Sequence, residues 1–293
     1  MLKSTLLIIS LPVVLRGVLV VLNYLASQNN YGASLTWGDA IVATNELFVR
    51  LGPIILIRGL IAFFFQRQII FAFSGAHPVT RKDYPEIYNI VENLCISQGL
   101  SVPKIGIIQD ESLNAFALGW DMDHARIVFT AGLLKKLNKR EIEAVAAHEL
   151  THIINKDSLL MVMIVVYIGI IATLGEILIR SARSGSKKGN ILPLVGIILL
   201  LLGYIFYPLI RMALSRKREF LADAGSVMIT KDAEAMIGAL KKISSNPEVM
   251  SIKKDTVAAL CIENPLKKGT SRFSNLLATH PPVEERIRAL QSY

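Results

Sequence analysis

The chain has only two cysteines, Cys95 and Cys261, among 293 residues. They show no metal-type spacing and no disulfide framework, which excludes a disulfide-stapled fold and a cysteine-ligated zinc module. Charge is scarce as well: 19% of residues are charged and 52% are hydrophobic. The mean hydropathy of +0.47 is not that of a wholly soluble protein. The formal net charge is +9, yet no aromatic-interleaved basic patch and no recognition motif accompanies it, so nucleic acid is not an expected partner. The basic excess reads against membrane topology instead. Internal repeats and low-complexity tracts are absent. Histidine is limited to five positions, 77, 124, 148, 152 and 280, so carboxylates are serious candidates as metal ligands.

What the chain does have is long apolar runs. Residues 4–22, 41–65, 158–179 and 191–210 are each long enough to span a bilayer. The second is interrupted by Glu46, Arg50 and Arg58, with Glu46 and Arg50 spaced for a helical pair. The first reads as an uncleaved anchor, because no small-residue cleavage site follows it. Residues 23–40 contain no Lys or Arg and read as external. Arg211, Arg216, Lys217 and Arg218 follow the fourth run and read as cytoplasmic. Arg180, Arg183, Lys187 and Lys188 in the short turn 180–190 point the other way. The resulting organisation is a transmembrane hairpin at 1–65, a cytoplasmic part at 66–157, a second hairpin at 158–210 and a cytoplasmic helical part at 211–293. The lipid bilayer is thus an expected partner.

The cytoplasmic parts read as α+β. Ile87, Ile90, Val91 and Leu94 give residues 84–98 an amphipathic helical spacing, closed by "GLSVP". Short β-like runs follow at 104–109, 113–120 and 125–132, with "DMDH" turning the last two into a hairpin. Asn138 and Glu141 form a capping-box pattern at the start of the next helix. That helix carries "AVAAHELTHIINKD", residues 144–157. His148 and His152 lie four residues apart and share a face, so two neutral imidazoles can grip one ion from one side. Glu149 beside them can take a proton from a water activated by that ion. Two core histidines on an amphipathic helix are the plain alternative.

A catalytic zinc site needs three protein ligands and one open position. "SRKREFLADAGSV", residues 215–227, offers Glu219 as the third, with Asp223 one turn on to hold the other ring nitrogen of a ligand histidine. The competing reading is a helix whose Arg216, Arg218 and Glu219 make solvated pairs. Two crossings between residues 157 and 211 return the chain to the side it left, which lets Glu219 face the histidines. Helices are expected at 215–229 and 232–244, parted by Thr230 as a cap and Lys231. A polar loop follows at 264–275, and "THPPVEERIRAL" is a turn leading into a short helix.

"AAHELTHIINKD", "REFLADAGSV", "NAFALG" and "THPPVEERI" occur in the order seen in the HtpX family of membrane-embedded zinc metalloproteases, which the chain resembles over nearly its whole length. That family is related to the CaaX prenyl endoproteases. The resemblance implies a mostly helical α+β membrane protein with about four transmembrane helices, a small β-sheet and a thermolysin-like zinc protease core. It implies one zinc ion held by His148, His152 and Glu219, with Glu149 as the catalytic carboxylate. His280 and Arg286 match the family's C-terminal pair, either of which donates to the oxyanion. Asp223 and Asn155 stand behind the ligands, and Asp157 also matches. Asn114, Ala115 and Phe116 belong to the edge strand that holds an extended substrate. The implied activity is endopeptidase cleavage of membrane-associated or misfolded proteins, as quality control in the bacterial cytoplasmic membrane, with the active site on the cytoplasmic side. A membrane-anchored holdase with a structural zinc is the alternative from another class.

Overall fold

A computed structural model describes residues 36–46, 74–119, 121–157, 192–245 and 280–293, with isolated positions elsewhere between 16 and 71 and between 171 and 179. The side chains of 192–193 and 202–215 lie outside this description. So do most of the expected spans 4–22, 41–65 and 158–179, the turn 180–190 and the loop 264–275. Among the described residues no helix is long and apolar enough to cross a membrane. The chain divides into two compact units: Met1–Phe64 with Val162–Pro208, and Phe65–Met161 with Leu209–Tyr293.

In the first unit, Thr36 and Asp39 cap a helix at residues 37–46 reciprocally, Asp39 N–H donating to Thr36 Oγ1 and Thr36 N–H to Asp39 Oδ2. Arg16 donates to Asn45 Oδ1 at 3.0 Å. A Cβ added at Gly196 would stand 2.6 Å from the Gly175 carbonyl oxygen, so two backbones meet where neither carries a side chain.

The second unit holds a four-stranded mixed sheet. Its strands are β1 (Ala76–Pro78), β2 (Lys104–Ile108), β3 (Ala115–Leu118) and β4 (Arg126–Thr130), in the order β1-β2-β4-β3. β3 and β4 pair antiparallel as the expected hairpin, and β2 runs parallel to β4 with Ile105 opposite Ile127 and Ile107 opposite Phe129. Its helices are α1 (Pro85–Ser97), α2 (Ala131–Lys136), α3 (Lys139–Ile154), the portion of α4 (Leu192–Thr230) from Leu209 onward, α5 (Ala233–Ile243) and α6 (Val283–Leu290). α1 ends where Gly99 takes a left-handed backbone conformation, at φ 65°, which costs glycine little. Ile87, Ile90, Val91 and Leu94 of α1 join the core with strand residues Ile105, Ile107, Ile127 and Phe129 and with Ile142 and Val145 of α3.

Two expected boundaries move. The run at 191–210 and the helix at 215–229 are one continuous 39-residue element, α4, rather than two. The cap of α5 is Asp232, which accepts from Ala235 N–H at 3.0 Å, and not Thr230. Thr230 Oγ1 instead donates back to the Ser226 carbonyl inside α4, while Lys231 turns the chain at φ 58°.

Candidate metal centre

α3 is anchored before it presents its histidines. Asn138 Oδ1 accepts from Glu141 N–H at 3.0 Å, and Glu141 Oε2 accepts from Asn138 N–H at 2.8 Å. Lys242 of α5 completes the anchor by pairing with the same carboxylate at 2.7 Å. α4 then crosses α3 closely: Ser226 Oγ donates to the Ala144 carbonyl at 2.7 Å, and a Cβ on Gly225 would fall 2.4 Å from Thr151 Cγ2. This crossing brings Glu219 and Asp223 to the histidines.

The Nε2 atoms of His148 and His152 stand 3.1 Å apart. Glu219 Oε2 lies 3.8 Å from the first and Glu219 Oε1 3.6 Å from the second. These separations can be compared with a tetrahedral ion bound at about 2.0–2.1 Å, whose donors stand about 3.3 Å apart. A carboxylate stands behind each ring: His148 Nδ1 faces Asp223 Oδ1 at 3.0 Å, without a well-formed hydrogen bond, and His152 Nδ1 meets Asp157 Oδ2 at 2.7 Å. Both Nε2 atoms thus face one another beside the Glu219 carboxylate, and two imidazole nitrogens and a carboxylate oxygen that converge in this way fit a divalent metal.

Burial governs the charges. It depresses His148, which is completely enclosed, towards its neutral form. At His152 burial is outweighed by the Asp157 hydrogen bond and by Glu219 and Glu149, and the ring is raised to about 9. Burial opposes the ionised form of Glu219 too, but His280 and Arg286 hold it well below the usual carboxylate range. Asp223 is likewise depressed, because the Arg286 guanidinium outweighs its desolvation. Glu149 goes the other way. Desolvation lifts its carboxyl to about 8, countered in part by His152 and by the main chain of Ala117. Both its oxygens are buried without a well-formed hydrogen bond among the described residues.

Arg286 reaches this centre from α6. It grips Asp223 with two bonds, Nε to Oδ2 at 2.8 Å and Nη2 to Oδ1 at 2.7 Å, and Nη1 lies 3.3 Å from Glu219 Oε2. His280 Nδ1 stands 3.3 Å from the same Glu219 oxygen, and its Nε2 is buried with no hydrogen-bond partner among the described residues.

Peptidase family M48 matches residues 81–293. A protease HtpX homolog from Bacteroides fragilis (strain YCH46) is 42% identical over 282 residues, covering 91% of this chain and 86% of that protein. The chain belongs to peptidase family M48. A second protease HtpX homolog, from Dictyoglomus turgidum, is 41% identical over 242 residues and covers 81% of this chain and 79% of its own length. The crystal structure of S. mikatae Ste24p matches 99% of this chain and 67% of its own with a TM-score of 0.55 and 18% identity, a likeness of fold.

The family places metallopeptidase chemistry in this chain. Of the residues singled out from the M48 sequence, His148, Glu149, His152, Glu219, Asp223, His280 and Arg286 come together in this second unit. Asn155 does not join them: it is the exposed C-cap of α3. Asp157 makes the contact behind His152 and pairs in turn with Arg218 at 2.5 Å, whereas the competing sequence reading puts Arg218 in a solvated pair. Asn114, Ala115 and Phe116 lie at or on β3, an edge of the sheet, and are all buried. Asn114 N–H donates to Thr130 Oγ1 and its C=O accepts from Thr130 N–H, so the period-two alternation of an antiparallel ladder turns the main-chain groups of Ala115 and Ala117 away from β4. The Ala115 N–H is met there by Asn114 Oδ1 at 3.0 Å.

Proposed function

We propose that this M48 peptidase is a zinc-dependent endopeptidase anchored in the bacterial cytoplasmic membrane, cutting membrane-associated or misfolded proteins on the cytoplasmic side. The observation that carries the catalytic reading is the convergence of two imidazole Nε2 atoms and one carboxylate beside a buried, proton-hungry Glu149. Three donors converge among the described residues, which suits an open catalytic site better than a closed structural one. Imidazole and carboxylate together suit zinc, one ion per chain. The membrane reading rests on the four apolar runs and on the Arg/Lys cluster after the last of them.

His148, His152 and Glu219 would hold the zinc, which when bound would supply Lewis acidity for the scissile carbonyl and for water. Glu149 accepts the proton from the attacking water, and a carboxyl lifted to about 8 is matched to that exchange near neutral pH. It then delivers the proton to the departing amine. β3, an edge strand of the sheet, takes an extended peptide as an added strand, a mode that holds substrates through backbone and tolerates varied sequence. His280 Nε2 is the available donor for the developing oxyanion. Arg286 is committed to Asp223 and Glu219 and acts by positioning them.

The test is casein cleavage by the full chain purified in detergent with zinc supplied. Cleavage that a chelator stops, and that Glu149→Gln lowers by about 10²–10⁴-fold while zinc content is retained, is the expected result. Equal activity in Glu149→Gln and the parent would remove Glu149 from the mechanism.

A further inference from the structure

We infer that Arg218 is a positioning residue for the metal centre, acting through Asp157 on His152. The inference rests on the metal reading above. α3 ends at Ile154, Asn155 caps it, and Lys156 then adopts φ 57°, a left-handed conformation that a side-chain-bearing residue rarely takes. That reversal carries Asp157 back beneath the last turn of α3. Its carboxylate is divided between two partners: Oδ2 meets His152 Nδ1 at 2.7 Å, and Oδ1 meets an Arg218 Nη at 2.5 Å. Asp157 is 7% exposed, so its charge depends on these partners rather than on water.

The source of Arg218 gives the arrangement its consequence. One turn of α4 supplies Arg218, which steadies the carboxylate behind one histidine, and Glu219, which faces the ion site directly. One turn later it supplies Asp223, which steadies the other histidine. A shift of this helix therefore moves a ligand and both imidazole supports together. Arg218 sets the orientation of His152 Nε2 without touching it.

The experiment uses full-length protein in detergent and reads zinc affinity by chelator competition, together with the visible absorption of the cobalt(II)-substituted form. Arg218→Met and Asp157→Asn should each weaken zinc binding by roughly tenfold to a hundredfold and alter the cobalt spectrum in the same way. Because the two residues act in series, the double variant should be no weaker than the worse single one. Arg218→Lys should recover part of the affinity, since it restores the charge without the planar fork. Losses that add in the double variant, or an unchanged affinity and cobalt spectrum in Arg218→Met, would overturn the inference. If Arg218→Met does not fold, the Asp157→Asn and Arg218→Lys spectra decide it: a parental spectrum in both counts against it. His148→Ala is the control for the metal reading itself. A parent that binds no zinc dependent on His148 defeats that reading, whereas a His148-dependent site indifferent to Arg218 defeats the inference alone.

Discussion

His148 and His152 leave the same helix four residues apart, and each is backed by an aspartate that is backed by an arginine. The first arm, His148–Asp223–Arg286, is sealed: Arg286 is 0% exposed and Asp223 2%. The second, His152–Asp157–Arg218, lies at the rim, where 18% of the Arg218 side chain remains exposed. Their origins differ as well. The sealed arm needs α6, from the end of the chain, docked against α4, whereas the rim arm is built from the turn after α3 and the preceding residue of the ligand pair on α4. Buried ion pairs broken on one side are costly, and exposed ones contribute little. The sealed arm therefore ties metal geometry to the completed fold, and the rim arm, in which the buried Asp157 keeps His152 as a partner when Arg218 is removed, tunes geometry at a smaller cost in stability.

The largest expected effect comes from breaking the sealed arm. Arg286→Met leaves Asp223 buried and unpaired, and should lower the unfolding free energy by about 3–5 kcal/mol in chemical denaturation. Arg218→Met should cost about 1 kcal/mol in the same measurement. Equal losses would erase the distinction between the arms. The next effect is on acid stability of the zinc-free protein. Asp223 has a folded pKa depressed to about 2, despite its burial, because Arg286 holds it ionised. A depressed carboxyl contributes stability that is present above its ordinary value of about 3.9 and is lost as pH falls through the lower folded value. The parent should thus lose on the order of 2 kcal/mol between about pH 4 and pH 2 through this group, and Arg286→Met should show a flatter slope there. The smallest effect is a control away from both arms. Asp232→Ala removes the N-cap of α5 and the pair with Arg140, costing about 1 kcal/mol while zinc affinity stays at the parental value.

Those features were unequally legible in the sequence. α3 was readable because its start signal is local: Asn138 and Glu141 satisfy each other's backbone within four residues. Glu219 and Asp223 were readable because their spacing puts both on one helical face. The β3–β4 hairpin was readable from its short turn, with strands one or two residues shorter at each end than expected. β1 was not, since three residues containing a proline carry no periodic signal, and the parallel pairing of β2 with β4 is non-local. The rim arm depends on a left-handed Lys156 that no residue type announced, so Asn155 and Asp157 could not be told apart. Arg286 did leave a trace. It shares the buried face of α6 with Leu290, four residues on, and an arginine on such a face is a buried guanidinium awaiting its acids. Arg286 itself was named through the family resemblance, as an oxyanion donor, and its burial and its partners came only with the packing.

Metal content of the purified full chain, measured for the parent beside Glu219→Ala, tests most directly whether these three side chains form one site. One tightly bound zinc per chain in the parent, lost from Glu219→Ala, is the predicted result. Zinc retained at full stoichiometry and undiminished affinity without the Glu219 carboxylate would contradict it.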